Sequence, residues 1–262
     1  MKLAVNYSPA SSQLYKEKRI TLDLFKCPDW PDMVNAALSE QCVYVHFRLS
    51  TGKPGLEQTD WQRITHFLEL TGTQQVNLHL ITDPSLNPDD PSEVKASIQK
   101  IIDQVSAVVD KFSPDKVIIE NVPFFLRGHD HLRPIVDPET ICNVVEQTGC
   151  MLLLDISHAI ITSSTLGIDP KMYIQSLPVD RLAELHITGL ANEDGQLVDH
   201  RAMRDEDWPI LEWVLSQIKL GLWANPNILA FEYGGVGEIF SPHSDPLVLQ
   251  MQVPRLFQLV HS

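Results

Sequence analysis

Six short apolar segments of this chain each end in a histidine or a carboxylate, and this repetition limits the possible folds more than any single motif does. The segments are 43–46, 76–79, 117–120, 152–155, 183–186 and 228–232, and their last residues are His46, His79, Glu120, Asp155, His186 and Glu232. Helical patterns separate these strand-like segments, so the strands must pair in parallel. Parallel strands that end in polar side chains are typical of a (β/α)8 barrel, whose active face lies at the carboxyl ends of its strands.

The order of apolar and capping residues predicts eight strands that alternate with helices. The predicted strands are 2–7, 42–48, 75–81, 115–121, 150–156, 181–188, 196–200 and 227–233, and the predicted helices are 30–39, 59–71, 91–112, 137–148, 169–177, 205–220 and 245–260. Four helices open with Asp-Pro, because Asp accepts hydrogen bonds from free amides and Pro presets φ at the first helical position. No glycine-rich dinucleotide loop follows the first strand, which disfavours a Rossmann sheet. The sequence therefore predicts an α/β protein, one (β/α)8 TIM-barrel domain over residues 1–262.

The composition of the chain disfavours some classes of binding partner. The net charge of −14 disfavours nucleic acid, because affinity for nucleic acid comes largely from Lys and Arg. No apolar run is long enough for a signal peptide or a membrane span, so we expect a cytoplasmic protein without a membrane partner.

The cysteines and one histidine-rich segment are expected to have ordinary structural roles. The four cysteines occur singly, and we expect Cys27, Cys42, Cys142 and Cys150 to be buried structural thiols. The His129-Asp130-His131 segment is expected to form an ordinary polar loop.

Side chains at the ends of barrel strands converge, because the strands tilt around a common axis. We therefore expect four carboxylates and five histidines near one opening: Glu120, Asp155, Asp199, Glu232, His46, His79, His158, His186 and His200. Two like charges about 6 Å apart cost about 3 kcal/mol at an effective dielectric constant near 20, so this cluster needs cations or protons. Carboxylates mixed with imidazoles, without thiolates, favour Fe, Mn or Zn in a reactive site over a structural zinc or an iron–sulfur cluster.

The stretch from 150 to 189 is the most specific part of the sequence. It contains Asp155-Ile156-Ser157-His158, Leu166-Gly167-Ile168-Asp169-Pro170 and Glu184-Leu185-His186-Ile187-Thr188-Gly189. Together with Glu120-Asn121-Val122-Pro123 and Phe231-Glu232-Tyr233, it resembles the multinuclear non-haem iron-dependent oxidative enzymes, the family that contains the methanobactin biosynthesis oxidase. That family belongs to the xylose isomerase-like TIM barrels. The resemblance extends well over residues 115–235, and over the first third only through the placing of His46 and His79.

The resemblance implies a cluster of two or three irons that activates dioxygen and modifies a cysteine-containing precursor peptide, delivered by a partner protein. By position, the resemblance also implies which residues are the inner ligands and the catalytic set: Glu120, Asp155, His186 and Glu232. His46, His79 and His158 complete the cluster. Zn and Mn are the alternative metals.

The chain departs from the family pattern after the seventh predicted strand, where many relatives have Asp-x-His. This chain has Asp199-His200-Arg201, and adjacent residues of an extended segment point to opposite sides, so either Asp199 or His200 is expected to be lost as a ligand. His158 stands where relatives frequently carry Asn. A site with fewer metals therefore stays open.

Three other functions stay open at this point. A divalent-metal sugar isomerase or epimerase would use the same barrel, a similar set of ligands and a small-molecule substrate, with Lys or His beside the metal as the base. A phosphodiesterase of the endonuclease IV kind ranks low, because the acidic chain would repel a DNA backbone. The barrel would also fit a protein that binds metal or a partner without catalysis.

Overall fold

The computed structural model describes residues 1–125, 132–237 and 241–262, which contain ten β-strands. The strands are β1 (Lys2–Asn6), β2 (Leu24–Pro28), β3 (Val43–His46), β4 (Val76–His79), β5 (Val117–Glu120), β6 (Met151–Asp155), β7 (Leu182–Ile187), β8 (Gly189–Glu193), β9 (Gln196–Arg201) and β10 (Ile228–Phe231). The His129-Asp130-His131 segment lies outside the described residues.

The same residues contain ten α-helices, most of which have proline in their first turn. The helices are α1 (Pro9–Lys16), α2 (Pro31–Leu38), α3 (Trp61–Thr71), α4 (Pro91–Phe112), α5 (Arg133–Val136), α6 (Pro138–Thr148), α7 (Ile156–Leu166), α8 (Pro170–Gln175), α9 (Trp208–Lys219) and α10 (Pro246–His261). None of these helices has both the length and the apolar character that a membrane span requires.

The predicted Asp-Pro caps form at three of the four helices. The side chains of Asp90, Asp169 and Asp245 accept hydrogen bonds from backbone amides in the first turns of α4, α8 and α10. Asp137 makes no such bond, and its carboxylate pairs instead with Arg133 at 3.0 Å. The prediction of a side-chain cap is therefore wrong for α6.

The structure divides into two compact units, of which the first comprises residues 1–46, 62–73 and 184–262. Its parallel strands follow the order β3-β2-β1-β10-β7. Lys26 pairs with Tyr44 between β2 and β3, and His186 pairs with Ala230 between β7 and β10. Tyr44 and Ala230 belong to a buried apolar cluster with Ala4 and Leu24. Because side chains alternate along a strand, Lys26 and His186 lie on the same face as this cluster.

The second unit comprises residues 47–61 and 74–183. Its strands β4, β5 and β6 are adjacent and parallel, with His79 paired to Glu120 and Glu120 paired to Leu153. Ile118, Leu153 and Ala183 form a buried cluster in this unit. Glu120 and Asp155 follow Ile118 and Leu153 by two residues, so both carboxylates lie at the carboxyl ends of their strands on the face of this cluster. The assignment of residues 1–262 to one domain stays a prediction.

The predicted number of parallel strands is correct, but one predicted member is wrong. Residues 196–200 fall in β9, which pairs antiparallel with β8 in a separate two-stranded sheet. The eighth parallel strand is instead β2, which the sequence did not reveal because Lys26 interrupts its apolar pattern. Asp194-Gly195 joins β8 to β9, and both residues have positive φ, as a tight hairpin turn requires.

Two further predictions need correction. Helices α1, α5 and α7 were not predicted. Helix α7 starts directly after the last residue of β6, with Asp155 as its capping residue, so no turn signal separates the two elements. The expectation of four buried thiols holds for Cys27 and Cys150. It is wrong for Cys42, which is exposed, and for Cys142, which is half-buried.

Candidate metal centre

A buried group of three possible ligands lies in the second unit. Atoms of Glu120, Asp155 and His158 all lie within 4.8 Å of one another. The Nδ1 atom of His158 is 3.7 Å from Oε1 of Glu120, and its Nε2 atom is 3.6 Å from Oδ2 of Asp155. Two carboxylates about 5 Å apart repel each other by about 3 kcal/mol at an effective dielectric constant of 20. A cation bound between them would offset this repulsion.

The local fold holds these groups in place. Oδ1 of Asp155 accepts a hydrogen bond from the backbone amide of His158 at 2.8 Å, which caps α7. The side chain of Asn121 donates to the carbonyl oxygen of Asp155 at 2.9 Å and accepts from its amide at 2.8 Å. Nδ1 of His158 lies 2.8 Å from the carbonyl oxygen of Asn121. Because a carbonyl only accepts, Nδ1 is the donor of this bond, and Nε2 is the ring nitrogen that faces Asp155.

His79 extends this group at the end of β4. Its Nε2 atom lies 3.2 Å from Oε2 of Glu120, and its Nδ1 atom lies 2.9 Å from the carbonyl oxygen of Leu49. Leu49 belongs to the segment after β3, where Ser50 also forms an isolated parallel bridge with His79. A backbone acceptor thus fixes the orientation of this histidine as well.

A second buried group lies in the first unit. His46, Glu184 and His186 offer ligand atoms within 4.8 Å of one another. His186 is fully buried; its Nε2 atom lies 2.7 Å from Oε1 of Glu184, and its Nδ1 atom lies 3.1 Å from Oε1 of Glu232. The ring centroids of His46 and His186 are 5.0 Å apart. The imidazole of His186 is therefore placed between two carboxylates.

Lys26 and Tyr44 also contact His186. The Nζ atom of Lys26 forms an ion pair with Oε1 of Glu232 and lies 3.4 Å from Nδ1 of His186. The hydroxyl of Tyr44 lies 3.5 Å from Nε2 of His186. Lys26 was not among the predicted site residues, because it lies on the strand that was not predicted. Glu184 was not predicted either, although a residue two positions before His186 on a strand must share its face.

Asp199 and His200 lie on β9 of the hairpin. His200 has a φ of 56°, so the extended geometry assumed for this pair does not hold there. Its Nδ1 atom lies 3.0 Å from the carbonyl oxygen of Glu232, and its Nε2 atom lies 4.0 Å from Oδ1 of Asp199. Neither residue joins a group of three possible ligands within the part of the chain that the structure describes. Their roles as ligands stay predictions.

The chemistry of both groups fits a metal ion. Each combines imidazole nitrogens with carboxylate oxygens, and neither includes a thiolate, which suits Fe, Mn or Zn. Glu120, Asp155 and His186 are almost completely buried, so a bound cation would be screened little by solvent. His46, His79, Glu120, Asp155 and His186 lie at or next to the last residue of a strand, and Glu232 directly follows β10, as the sequence predicted.

Solved structures establish the fold of the whole chain. D-psicose 3-epimerase from Clostridium cellulolyticum H10 matches with a TM-score of 0.61 at 13% identity, over 100% of this chain and 98% of that one. A xylose isomerase domain protein from Alicyclobacillus acidocaldarius matches with a TM-score of 0.58 at 15% identity, over the full length of both chains. At such low identity these matches show the fold alone. The chain has the xylose isomerase-like TIM-barrel fold that the sequence predicted.

Relatives with clearer sequence similarity are UPF0276 proteins. One from Chromobacterium violaceum is 27% identical over 126 residues, which is 47% of this chain and 45% of that protein. One from Acaryochloris marina is 29% identical over 125 residues, which is 47% of this chain and 42% of that protein. The matched part of the chain spans less than half of the length of either relative.

A family model identifies the family more directly. The model for the RiPP precursor modification enzyme MbnB/TglH/ChrH matches residues 51–222, which is more than half of the chain. The matched region contains His79, Glu120, Asp155, His158 and His186. The predicted resemblance is thereby confirmed, and the chain belongs to the MbnB/TglH/ChrH family of RiPP precursor modification enzymes.

Proposed function

We propose that this chain is a metal-dependent oxidative enzyme that uses dioxygen to modify a cysteine-containing precursor peptide. Membership of the family supports the peptide substrate. The observation that carries the proposal is the buried group of Glu120, Asp155 and His158, because two carboxylates so close together in a buried place need a compensating cation or proton, and a bound metal ion would supply that charge.

The proposed ligands are divided between the two units. His79, Glu120, Asp155 and His158 would bind metal in the second unit, and His46, His186 and Glu232 would bind metal in the first. Asp199 and His200 are further candidates on the hairpin. Two or three irons, with Zn or Mn as the alternatives, would supply the activation of dioxygen that protein side chains cannot perform.

The protein's own task in this proposal is to hold its ligands in fixed orientations. Backbone carbonyls of Leu49 and Asn121 accept from Nδ1 of His79 and His158, and the carboxylate of Glu184 is bonded to Nε2 of His186. Each of the three imidazoles thus has one nitrogen engaged by the protein and the other directed toward a carboxylate. Such contacts usually raise ligand basicity and metal affinity.

The net charge of the chain and its family membership support the partners that we propose. The family supports a precursor peptide as substrate, and delivery by a separate partner protein extends that proposal. The net charge of −14 suits an electropositive peptide better than nucleic acid. We place the protein in the cytoplasm, without a membrane partner.

The proposal can be tested on protein purified without oxygen. Elemental analysis should find about two or three irons per chain, and the addition of air with a cysteine-containing precursor peptide encoded nearby should consume oxygen and change the peptide's mass. Glu120→Gln and Asp155→Asn should lose metal and activity together, because each removes a charged ligand. His66→Gln is the matched control, since His66 is exposed on α3. Purified protein that never retains a metal would contradict the proposal.

A divalent-metal sugar epimerase is the second candidate. The observation that favours it is the buried Lys26 beside His186 and Glu232, where an epimerase would place a base. Several solved structures with the same fold are sugar epimerases. Turnover of a ketose with Mn²⁺ under strict exclusion of oxygen would support this candidate, and the oxidative proposal predicts no such turnover.

A further inference from the structure

We propose that Lys26 competes with a metal ion for the pair of ligands formed by His186 and Glu232. This inference rests on the proposed metal site, and it assigns a role to a residue outside the predicted set of ligands. The Lys26 ammonium would hold the two ligands together while no metal is bound, and it would weaken metal binding at this one position.

The contacts of Lys26 support this role. Only 6% of its surface is exposed, which is rare for lysine, and its Nζ atom forms an ion pair with Oε1 of Glu232. The same Nζ atom lies 3.4 Å and 3.5 Å from the two ring nitrogens of His186. Oε1 of Glu232 is also the oxygen that lies 3.1 Å from Nδ1 of His186. The ammonium therefore contacts the same oxygen and nitrogen that would bind a metal at this position.

A metal ion and the ammonium cannot use these atoms at the same time. A divalent cation would need the Oε1 oxygen and the Nδ1 lone pair, and it would repel a positive charge only a few ångströms away. Nε2 of His186 is already bonded to Glu184 at 2.7 Å, so Nδ1 is the nitrogen that faces the metal position. Metal binding would thus require the flexible lysine side chain to move away from Glu232.

The group in the second unit offers a contrast. Glu120 contacts the imidazoles of His79 and His158, and Asp155 contacts the imidazole and the backbone amide of His158. Because the ammonium of Lys26 weakens binding at His186 and Glu232, we expect metal ions to bind to the group in the second unit first and at His186 and Glu232 last. The chain would load its metals in order, with the last position being the weakest.

The test replaces Lys26 by methionine, which removes the charge and keeps a side chain of similar length. Titration of metal-free protein with Mn²⁺, with free Mn²⁺ read by electron paramagnetic resonance, gives the number of sites and the dissociation constant of each. Lys26→Met should lower the dissociation constant of the weakest site by at least about tenfold, because the competing charge is gone. Mn²⁺ is the probe because its binding can be measured in air, independently of enzyme activity.

Lys16→Met is the matched control. Lys16 also forms an ion pair with a glutamate of the first unit, Glu40 at 2.8 Å, but on the exposed face of α1. Its replacement should leave every dissociation constant unchanged. If Lys26→Met does not fold, which circular dichroism would show, Lys26→Gln keeps a neutral polar group at the position and should give the same gain.

The outcomes separate the two proposals. Wild-type protein that binds Mn²⁺ with no gain in Lys26→Met or Lys26→Gln would overturn the role of Lys26 and leave the metal site standing. A weaker site in these variants would overturn it too, since Lys26 would then support metal binding. If neither the wild type nor a variant bound Mn²⁺ or iron, both proposals would fail together.

Discussion

The Nε2 atom of His186 lies 2.7 Å from Oε1 of Glu184, the residue two positions earlier on the same strand. Residues two apart on a strand point to the same face, so β7 brings an imidazole and a carboxylate together without a contribution from any other element. The bond keeps the ring in one orientation, with Nδ1 toward Glu232 at 3.1 Å. Glu184 is therefore placed to act through His186, as a positioning residue.

Replacement of Glu184 by glutamine should weaken metal binding much more than it weakens the fold. Loss of a carboxylate bonded to a ligand histidine typically lowers metal affinity by about 10–100-fold. Titration with Mn²⁺ would measure the affinity, and the Tm of the metal-free protein would report on the fold. Glu212→Gln is the control, because Glu212 forms an exposed ion pair with Arg255. Unchanged affinity in Glu184→Gln would exclude a positioning role.

Replacement of Asn121 by alanine should destabilise the protein. The Asn121 side chain satisfies both the amide and the carbonyl of Asp155, and the variant would leave these two buried backbone groups without that partner. Each such loss costs about 1–3 kcal/mol, so for two groups we expect the free energy of unfolding to fall by about 2–6 kcal/mol. Urea denaturation would measure the change. Asn87→Ala is the control, because Asn87 lies in an exposed loop, and it should change the free energy of unfolding by less than about 0.5 kcal/mol. Equal losses in both variants would contradict the stabilising role of the Asn121 side chain.

Much of the fold followed from the sequence because its signals are local. The ends of the strands at His46, His79, Glu120, Asp155 and His186 could be read from short apolar segments that stop at a polar residue. The β8–β9 hairpin also carried a local signal in Asp194-Gly195, but the prediction treated its second strand as a member of the barrel. The error arose because β2, with Lys26 at its centre, does not have the composition of a buried parallel strand.

The parts of the site that escaped prediction depend on contacts between residues far apart in sequence. Lys26 and Glu232 are separated by 206 positions, and no local pattern indicates that a lysine will be buried against a particular glutamate. His200 was treated as part of an extended segment, and its positive φ could not be anticipated from a residue that is not glycine. Glu184 is different, since the alternation of the strand contained the information.

The four cysteines should differ in their reactivity toward iodoacetamide at pH 8. Burial raises the pKa of Cys27 to about 12 and that of Cys150 to about 11, so almost none of either thiol is the reactive thiolate at this pH. Burial and the nearby Glu146 and Asp180 raise the pKa of Cys142. Cys42 is exposed and should react first.

Peptide mass spectrometry after timed alkylation would give the order in which the four cysteines react. Protein unfolded in guanidinium is the control, in which all four thiols should react at similar rates. Fast labelling of Cys27 in the folded protein would be inconsistent with its burial.

The same pKa shifts predict how stability depends on pH. Because the pKa values of Cys27 and Cys150 are raised in the folded state, the unfolded state releases these protons first as the pH rises. The free energy of unfolding should therefore fall as pH rises above about 9.

Replacement of Gly52 by alanine should destabilise the second unit and disturb His79. Gly52 has a φ of 75°, and an added Cβ would lie 1.8 Å from the carbonyl oxygen of Ile81, so the backbone would have to move. Gly52 also donates to Oε1 of Gln104 at 2.6 Å, and the preceding residue, Thr51, donates to the carbonyl of His79 at 3.0 Å. We expect the free energy of unfolding, measured by urea denaturation, to fall by about 3 kcal/mol or more, together with weaker Mn²⁺ binding.

Gly195→Ala is the control that distinguishes backbone strain from a steric clash. Gly195 has a φ of 82°, but nothing lies within 4 Å of the added Cβ. The free energy of unfolding should therefore fall by only about 1–2 kcal/mol, with unchanged Mn²⁺ affinity. Similar losses in the two variants would mean that the contact with Ile81 does not restrict this segment.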